Sequence, residues 1–188
     1  MAIRLRRPTN EQLAALLARC RDDELTYRPT GGSLGGVCPA GFHRRSWTIP
    51  LTGVDAFDRA RNAIRAWAVH RGAGLDVVAE EPLAPGTNVA MSAPLPVGFV
   101  EITCRVVAIV DEPHRFGFAY GTLPVHPEEG EESFLVVRDA GGTRFDVQAV
   151  SRQSHPLARM FSPIANRLQD AAARRYLAAM TAAVSAGA

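Results

Sequence analysis

The sequence has no lysine: all 21 of its basic residues are arginine. Schiff-base catalysis through a lysine, a Walker A lysine and a kinase-type strand lysine are therefore excluded outright. Alanine, glycine and proline are abundant beside arginine, the signature of a GC-rich coding bias, and arginine still offers a planar fork for a carboxylate or phosphate. Cysteine is scarce. Cys20, Cys38 and Cys104 are odd in number, widely spaced and without a C-x-x-C pair, so neither a disulfide framework nor a zinc site is suggested. No run reaches the roughly 18 apolar residues that span a bilayer, and Met1-Ala-Ile-Arg-Leu-Arg-Arg-Pro8 has no apolar core segment after its charges, which predicts a cytoplasmic protein. A net charge of +2 supplies too few uncompensated basic groups for a dedicated nucleic-acid binder. No nucleophile elbow and no dinucleotide fingerprint is read, so neither a serine hydrolase nor a nucleotide-binding unit is expected, and no cofactor is assigned.

What is present is the composition of one well-filled domain. The chain is 188 residues long, 47% apolar and 21% charged, near ordinary averages, which excludes a disordered or fibrous chain. Thr9 and Gln12 stand at capping-box spacing before Leu13, Leu16, Leu17 and Cys20, predicting a helix over about 10–20. Residues 26–41, including Arg28-Pro-Thr-Gly-Gly-Ser-Leu-Gly-Gly36, read as an irregular surface segment. Phe42–Leu51 alternates as a strand with Arg45, Trp47, Ile49 and Leu51 on one face. Asp55 is placed to cap a single helix with Phe57, Ala60, Ile64 and Trp67 on one stripe, ended by Gly72 and Gly74, and with a solvated stripe of Arg59, Arg61 and Arg65.

Beyond Gly74 the period becomes two. Leu75–Ala79, Thr87–Ser92, Phe99–Val110, Arg115–Gly121, Glu131–Arg138 and Thr143–Arg152 form six strand candidates whose short links imply an antiparallel meander. In the longest, Val100, Ile102, Cys104, Val106, Ala108 and Val110 make an apolar face, with Glu101, Thr103 and Arg105 on a wet one. His155–Phe161 reads as a turn or short helix. A closing helix over 163–184 carries Ile164, Leu168, Ala171, Ala172, Leu177, Met180 and Val184.

The polar chemistry is concentrated between Phe116 and Phe134. Tyr120, Thr122, His126, Glu131 and Glu132, beside the aromatic Phe118, are the candidate ligand-binding residues, with Arg105 or Arg138 as possible arginine partners. An imidazole and two carboxylates within seven residues have the makings of an acid/base pair. The alternative is that they cap and solvate a surface turn at 124–130 shaped by Pro124, Pro127 and Gly130. Glu131 and Glu132 are neighbours on a strand and must face opposite ways; Glu132 shares its face with Phe134 and Val136 and is the one expected inside. His43, His70, His114 and His155 are too scattered to complete a metal site around His126, so no metal is expected.

The order strand, helical segment, antiparallel meander, long C-terminal helix resembles the helix-grip fold of START-like and birch-pollen-allergen-like proteins. More narrowly, Phe116–Phe134, with Val150-Ser-Arg152 and Arg174-Arg-Tyr-Leu177, resembles an uncharacterised domain-of-unknown-function family of bacteria and plants. The likeness runs from about Leu25 to the C-terminal helix and departs at Val125, where the family usually has glycine. It implies an α+β protein in which a curved antiparallel sheet of about seven strands packs on a long C-terminal helix. Residues 1–24 would form a helical extension to a core at 25–188 within a single domain. It also implies a cavity between sheet and helix for a small hydrophobic or amphipathic molecule. The alternative it suggests is an enzyme like the polyketide cyclases and dehydratases, with His126 or Glu132 as general base and Tyr120 as proton donor. The resemblance carries over no catalytic residue and no cofactor.

Overall fold

Among the described residues, eight strands form one antiparallel sheet whose inner face is closed by the C-terminal helix, the expected helix-grip architecture. The computed structural model describes residues 2–153 and 162–185, with side chains for 3–153 and 167–185. The strands are β1 (Ala2–Arg4), β2 (His43–Leu51), β3 (Asp76–Ala79), β4 (Asn88–Pro94), β5 (Phe99–Glu112), β6 (Arg115–Thr122), β7 (Glu128–Asp139) and β8 (Gly142–Gln153). The helices are α1 (Asn10–Arg19), α2 (Ala56–Arg65), α3 (Ala68–Gly72) and α4 (Ser162–Ser185). The order across the sheet is β2-β8-β7-β6-β5-β4-β3, so β3 to β8 are the meander that the short links require. β1 is an addition to the expected strands; its three residues continue along the edge of β5 that β6 leaves, opposite residues 99–101. The expected turn or short helix at His155–Phe161 lies outside the described residues. Among the described residues no helix is long and apolar enough to cross a membrane.

The inner face is a continuous apolar layer. Phe116, Phe118 and Tyr120 of β6 stand beside Phe134 and Val136 of β7 and Phe145 and Val147 of β8, all buried beneath α2, α3 and α4. From β2, Arg45 and Trp47 both reach the Asp170 carboxylate of α4, at 2.8 and 3.2 Å. The stripe by which α4 grips this layer is Ala173, Tyr176, Ala179, Met180 and Val184. That corrects the expected stripe in part: Leu168 is 46% exposed, and Ile164 is outside the described side chains.

Two further expectations fail for a common reason, that tertiary contacts override local pattern. The helix expected from Asp55 to Gly72 is two helices, broken at Trp67, which is the only non-glycine residue at positive φ (55°) among the described residues. The indole is held there by Phe118 and His70, at ring-centroid distances of 4.9 and 5.0 Å, and strain at so bulky a residue persists only where packing dictates it. Asp55 occupies the N-cap position of α2 but makes no side-chain cap bond. Arg61 and Arg65 share Asp111 and lie over the Phe116 ring at 5.0 and 4.6 Å, and Arg65 stays exposed, as expected of that stripe.

The face of β5 expected to be wet is also covered. Thr103 is fully buried and Glu101 is 2% exposed, because α1 packs its Leu13, Leu16, Leu17 and Cys20 with Ala90 and Leu123 into a second small core, and Arg4 of β1 pairs with Glu101. The capping box of α1 is present as expected, Gln12 N to Thr9 Oγ1 at 3.2 Å and Thr9 N to Gln12 Oε1 at 3.0 Å. Val125, where the resembling family usually has glycine, is not at positive φ and packs against this second core.

Residues 26–41 are not loosely wrapped. Gly31 N, Ser33 N, Ser33 Oγ and Tyr27 Oη all donate to the Glu131 carboxylate, at 2.8, 2.9, 2.6 and 2.6 Å. This clamp presses Tyr27 against the bare face of β6. A Cβ on Gly121 would stand 2.5 Å from Tyr27 Oη and 2.9 Å from Leu25 Cδ2. Gly121→Ala is accordingly expected to cost about 1–3 kcal/mol, the range for overpacking a site that cannot relax. A denaturation midpoint equal to that of the parent protein would show that Tyr27 is not locked.

Candidate functional site

Small side chains leave room where the sheet and the first half of α4 face one another. Ala171 and Ala172 of α4, Ala73 after α3 and Ala149 of β8 line a cavity of about 610 Å³, with Leu75, Met91, Val100 and Ile102 completing an apolar wall. The volume falls within the roughly 300–1,000 Å³ of small-molecule sites, which combine apolar walls with a few placed polar groups.

Those polar groups come from β6, β7 and α4. Tyr120 and Glu132 are directly opposed in the β6–β7 ladder, and the Tyr120 hydroxyl donates to Glu132 Oε2 at 2.9 Å. Glu132 Oε1 accepts no hydrogen bond from the described residues. Tyr176 of α4 brings a second phenol into the same wall. Loss of hydration raises the Glu132 carboxyl to about 7; the Tyr120 hydrogen bond opposes that rise and the Glu128 charge adds to it. Burial likewise raises the phenols of Tyr120 and Tyr176, which remain donors at any ordinary pH.

The sequence candidates divide accordingly. Strand parity places Glu132 inside and turns the Glu131 carboxylate to the opposite face, where the clamp on residues 26–41 consumes it. Thr122 stitches the turn, its Oγ1 accepting from Gly130 N at 2.9 Å and its carbonyl from Thr26 N at 3.0 Å. His126 does not pair with Glu132: its Nδ1 accepts from the main-chain N–H of Glu128 at 2.9 Å, and desolvation lowers it to about 4. Phe118 is not a wall residue but a fully buried ring beneath the cavity, in contact with Trp67 and Phe134. Neither suggested arginine partner is present. Arg105 binds Asn88 Oδ1 and the Arg21 carbonyl, and Arg138 lies over Phe57.

The turn is also shorter than 124–130, since β7 begins at Glu128. Its pairing with Gln153 and Arg152 runs straight through Gly130, where any Cβ would stand 2.2 Å from the Val150 carbonyl. At the rim, Glu128 accepts from Gln153 and Gln169, at 3.2 and 3.3 Å.

Two features escaped the sequence reading. Gly31-Gly32-Ser33-Leu34-Gly35 does carry the letters G-x-S-x-G, contrary to the expectation that no nucleophile elbow occurs. It follows no strand, however, and Ser33 is buried with its Oγ spent on Glu131 and its carbonyl on Ser133 Oγ, so it is an anchor. His70 is the other. It is 1% exposed, neither ring nitrogen has a hydrogen-bond partner, and it stacks among Trp67, Phe118, Tyr120, Phe134 and Tyr176. Desolvation lowers it to about 3. Only its place on the apolar side of α3, one residue after the buried Val69, could have signalled this.

A meander of strands closed by a long helix over a cavity with a polar floor defines a helix-grip protein. Within that class, residues 26–179 match the family described as "Domain of unknown function (DUF1990)", and the chain belongs to that family. A UPF0548 protein of Deinococcus radiodurans is 37% identical over 188 residues, covering 92% of this chain and 93% of the relative. Among solved structures, TTHA0849 from Thermus thermophilus is similar with a TM-score of 0.57 at 17% identity, over 78% of this chain and 99% of that one. The di-domain ARO/CYC StfQ from the steffimycin biosynthetic pathway is similar with a TM-score of 0.54 at 13% identity, over 76% of this chain and 50% of that one. At such identities the structural likeness concerns the fold alone.

Proposed function

We propose that the protein binds a small apolar or amphipathic molecule between its sheet and α4. The observation that carries this reading is the cavity itself, apolar along Leu75, Met91, Ile102 and Ala172, with polar groups where Tyr120, Glu132 and Tyr176 converge and along the edge that carries Glu128, Gln153 and Gln169. A purely structural protein gains nothing from a half-buried carboxyl whose pKa is raised to about 7 beside a void, since each such group costs stability. The full-length protein is expected to take up the neutral fluorophore N-phenyl-1-naphthylamine in a saturable manner, and native mass spectrometry of freshly purified protein to show a co-purified small molecule. Ala172→Trp, which fills the cavity, is expected to reduce uptake at least tenfold. Uptake unaffected by that substitution, or none in the parent protein, would overturn the reading.

A second reading, an acid–base enzyme, rests on the same carboxyl, because a group titrating near neutrality serves as donor or acceptor at working pH. In it Glu132 is the general base and Tyr120 the proton donor, while His126, committed to Glu128, takes no part. It requires turnover of a hydroxyacyl or polyketide-like thioester that is lost in Glu132→Gln; inertness toward such substrates would remove it.

A further inference from the structure

The unspent hydrogen-bonding capacity of the floor decides which ligand head the cavity accepts. Glu132 Oε2 is occupied by Tyr120, whereas Oε1 has no donor among the described residues, and the Tyr176 phenol lies in the same wall. We propose that the cavity selects a neutral amphiphile bearing a hydroxyl, taken head first, with that hydroxyl donating to Glu132 Oε1. The inference rests on the ligand-binding reading above and sharpens it to a chemical class.

The charges around the floor argue against a carboxylate entering in either direction. Among the described lining residues, β7 contributes Glu128 and Glu132 and also Glu131, whose carboxylate is engaged on the opposite face. The turn contributes His126, neutral at ordinary pH, and α4 contributes Arg175, which is exposed. The lining residues of β4, β5 and β8 carry no charge: Met91, Ala93 and Pro94; Val100 and Ile102; Ala149, Ser151 and Gln153. A carboxylate entering head first would meet two carboxyl groups and no cation. A carboxylate entering tail first could leave its charge at Arg175, but its hydrocarbon would then strip water from Glu132 Oε1 without replacing the hydrogen bond. Leaving a polar group unpaired out of water is unfavourable. A hydroxyl entering head first replaces the bond and leaves Arg175 in water.

The test is displacement of N-phenyl-1-naphthylamine from the full-length protein at pH 8 by 1-decanol, decanoate and decylamine, which share one chain length. Decanol is expected to displace the probe at a concentration at least tenfold below that of decanoate, and also below that of decylamine. Glu132→Leu, verified as folded by circular dichroism, should retain the probe and narrow the decanol preference to under threefold. Arg175→Gln should leave it unchanged. Equal competition by all three compounds, or a preference for decylamine, overturns the assignment of ligand class while the cavity reading survives. A preference for decanoate that Arg175→Gln abolishes does the same and establishes tail-first binding. Failure of the parent protein to take up the probe overturns both.

Discussion

Glu132→Gln is expected to make the protein more stable than its parent at pH 8, by about 3 kcal/mol, while weakening its hold on ligand. The sign follows from the direction of the shift. An unfolded glutamate loses its proton near 4.5, and Glu132 in the folded protein near 7. Between those values the native state binds more protons than the unfolded state, so this contribution to stability is full below 4.5 and lost as pH rises through 7. At about 1.4 kcal/mol per pH unit, a shift of this size corresponds to roughly 3 kcal/mol at pH 8. Glutamine does not titrate and can still accept from Tyr120, so it avoids the cost of a buried charge without leaving the phenol unpaired. Urea denaturation of both proteins at pH 5.5 and 8 checks this. The stability difference should grow in favour of the variant as pH rises, and a variant less stable than the parent at pH 8 would show Glu132 to be a structural partner. Gain of stability with loss of binding marks a residue kept for function.

How much of this was legible in the sequence depends on how far apart the interacting residues lie. Periodicity alone located β2 and every strand of the meander, because a half-buried strand writes its two faces into alternate residues. The same parity argument allowed at most one of Glu131 and Glu132 to face a cavity and favoured Glu132. Beyond that range it failed. Glu131 looked like a second site residue because its true partners, Tyr27, Gly31 and Ser33, lie about a hundred positions away. Tyr176 completes the floor from the far helix, and the sequence marked it only within Arg174-Arg-Tyr-Leu177, a stretch read for family resemblance and not for the site. The break at Trp67 has no glycine or proline to announce it and is imposed by rings of β6 and α3. The short edge strand β1 carries too few residues for any period to show. Fold legibility therefore exceeded site legibility: strands are encoded locally, whereas a cavity is made by what distant elements fail to fill.

His70 should dominate the response of the fold to acid. Its folded value is about 3 against the ordinary 6.5 of a histidine in water, because a charged imidazole enclosed by five aromatic rings would have neither water nor a hydrogen-bond partner. Above pH 6.5 the group is neutral in both states and contributes no pH dependence. As pH falls from 6.5 toward 3, the unfolded chain takes up a proton that the native protein refuses, and stability declines. At about 1.4 kcal/mol per unit the loss approaches roughly 4–5 kcal/mol at pH 3, a large share of the 5–15 kcal/mol typical of a whole domain. His70→Leu and His70→Phe differ in volume and will shift absolute stability by different amounts through packing. Their common prediction is a flattened dependence of unfolding free energy on pH between 6.5 and 4. A residual slope in the same direction is expected from His126, lowered to about 4 by its own desolvation, but between 4.5 and 7 Glu132 opposes it, so replacing both histidines should leave a stability that rises as pH falls through that window. Parent and His70 variants with parallel acid limbs would show instead that His70 gains its proton within the native fold, which the sealed packing of Phe118, Phe134 and Tyr176 around it opposes.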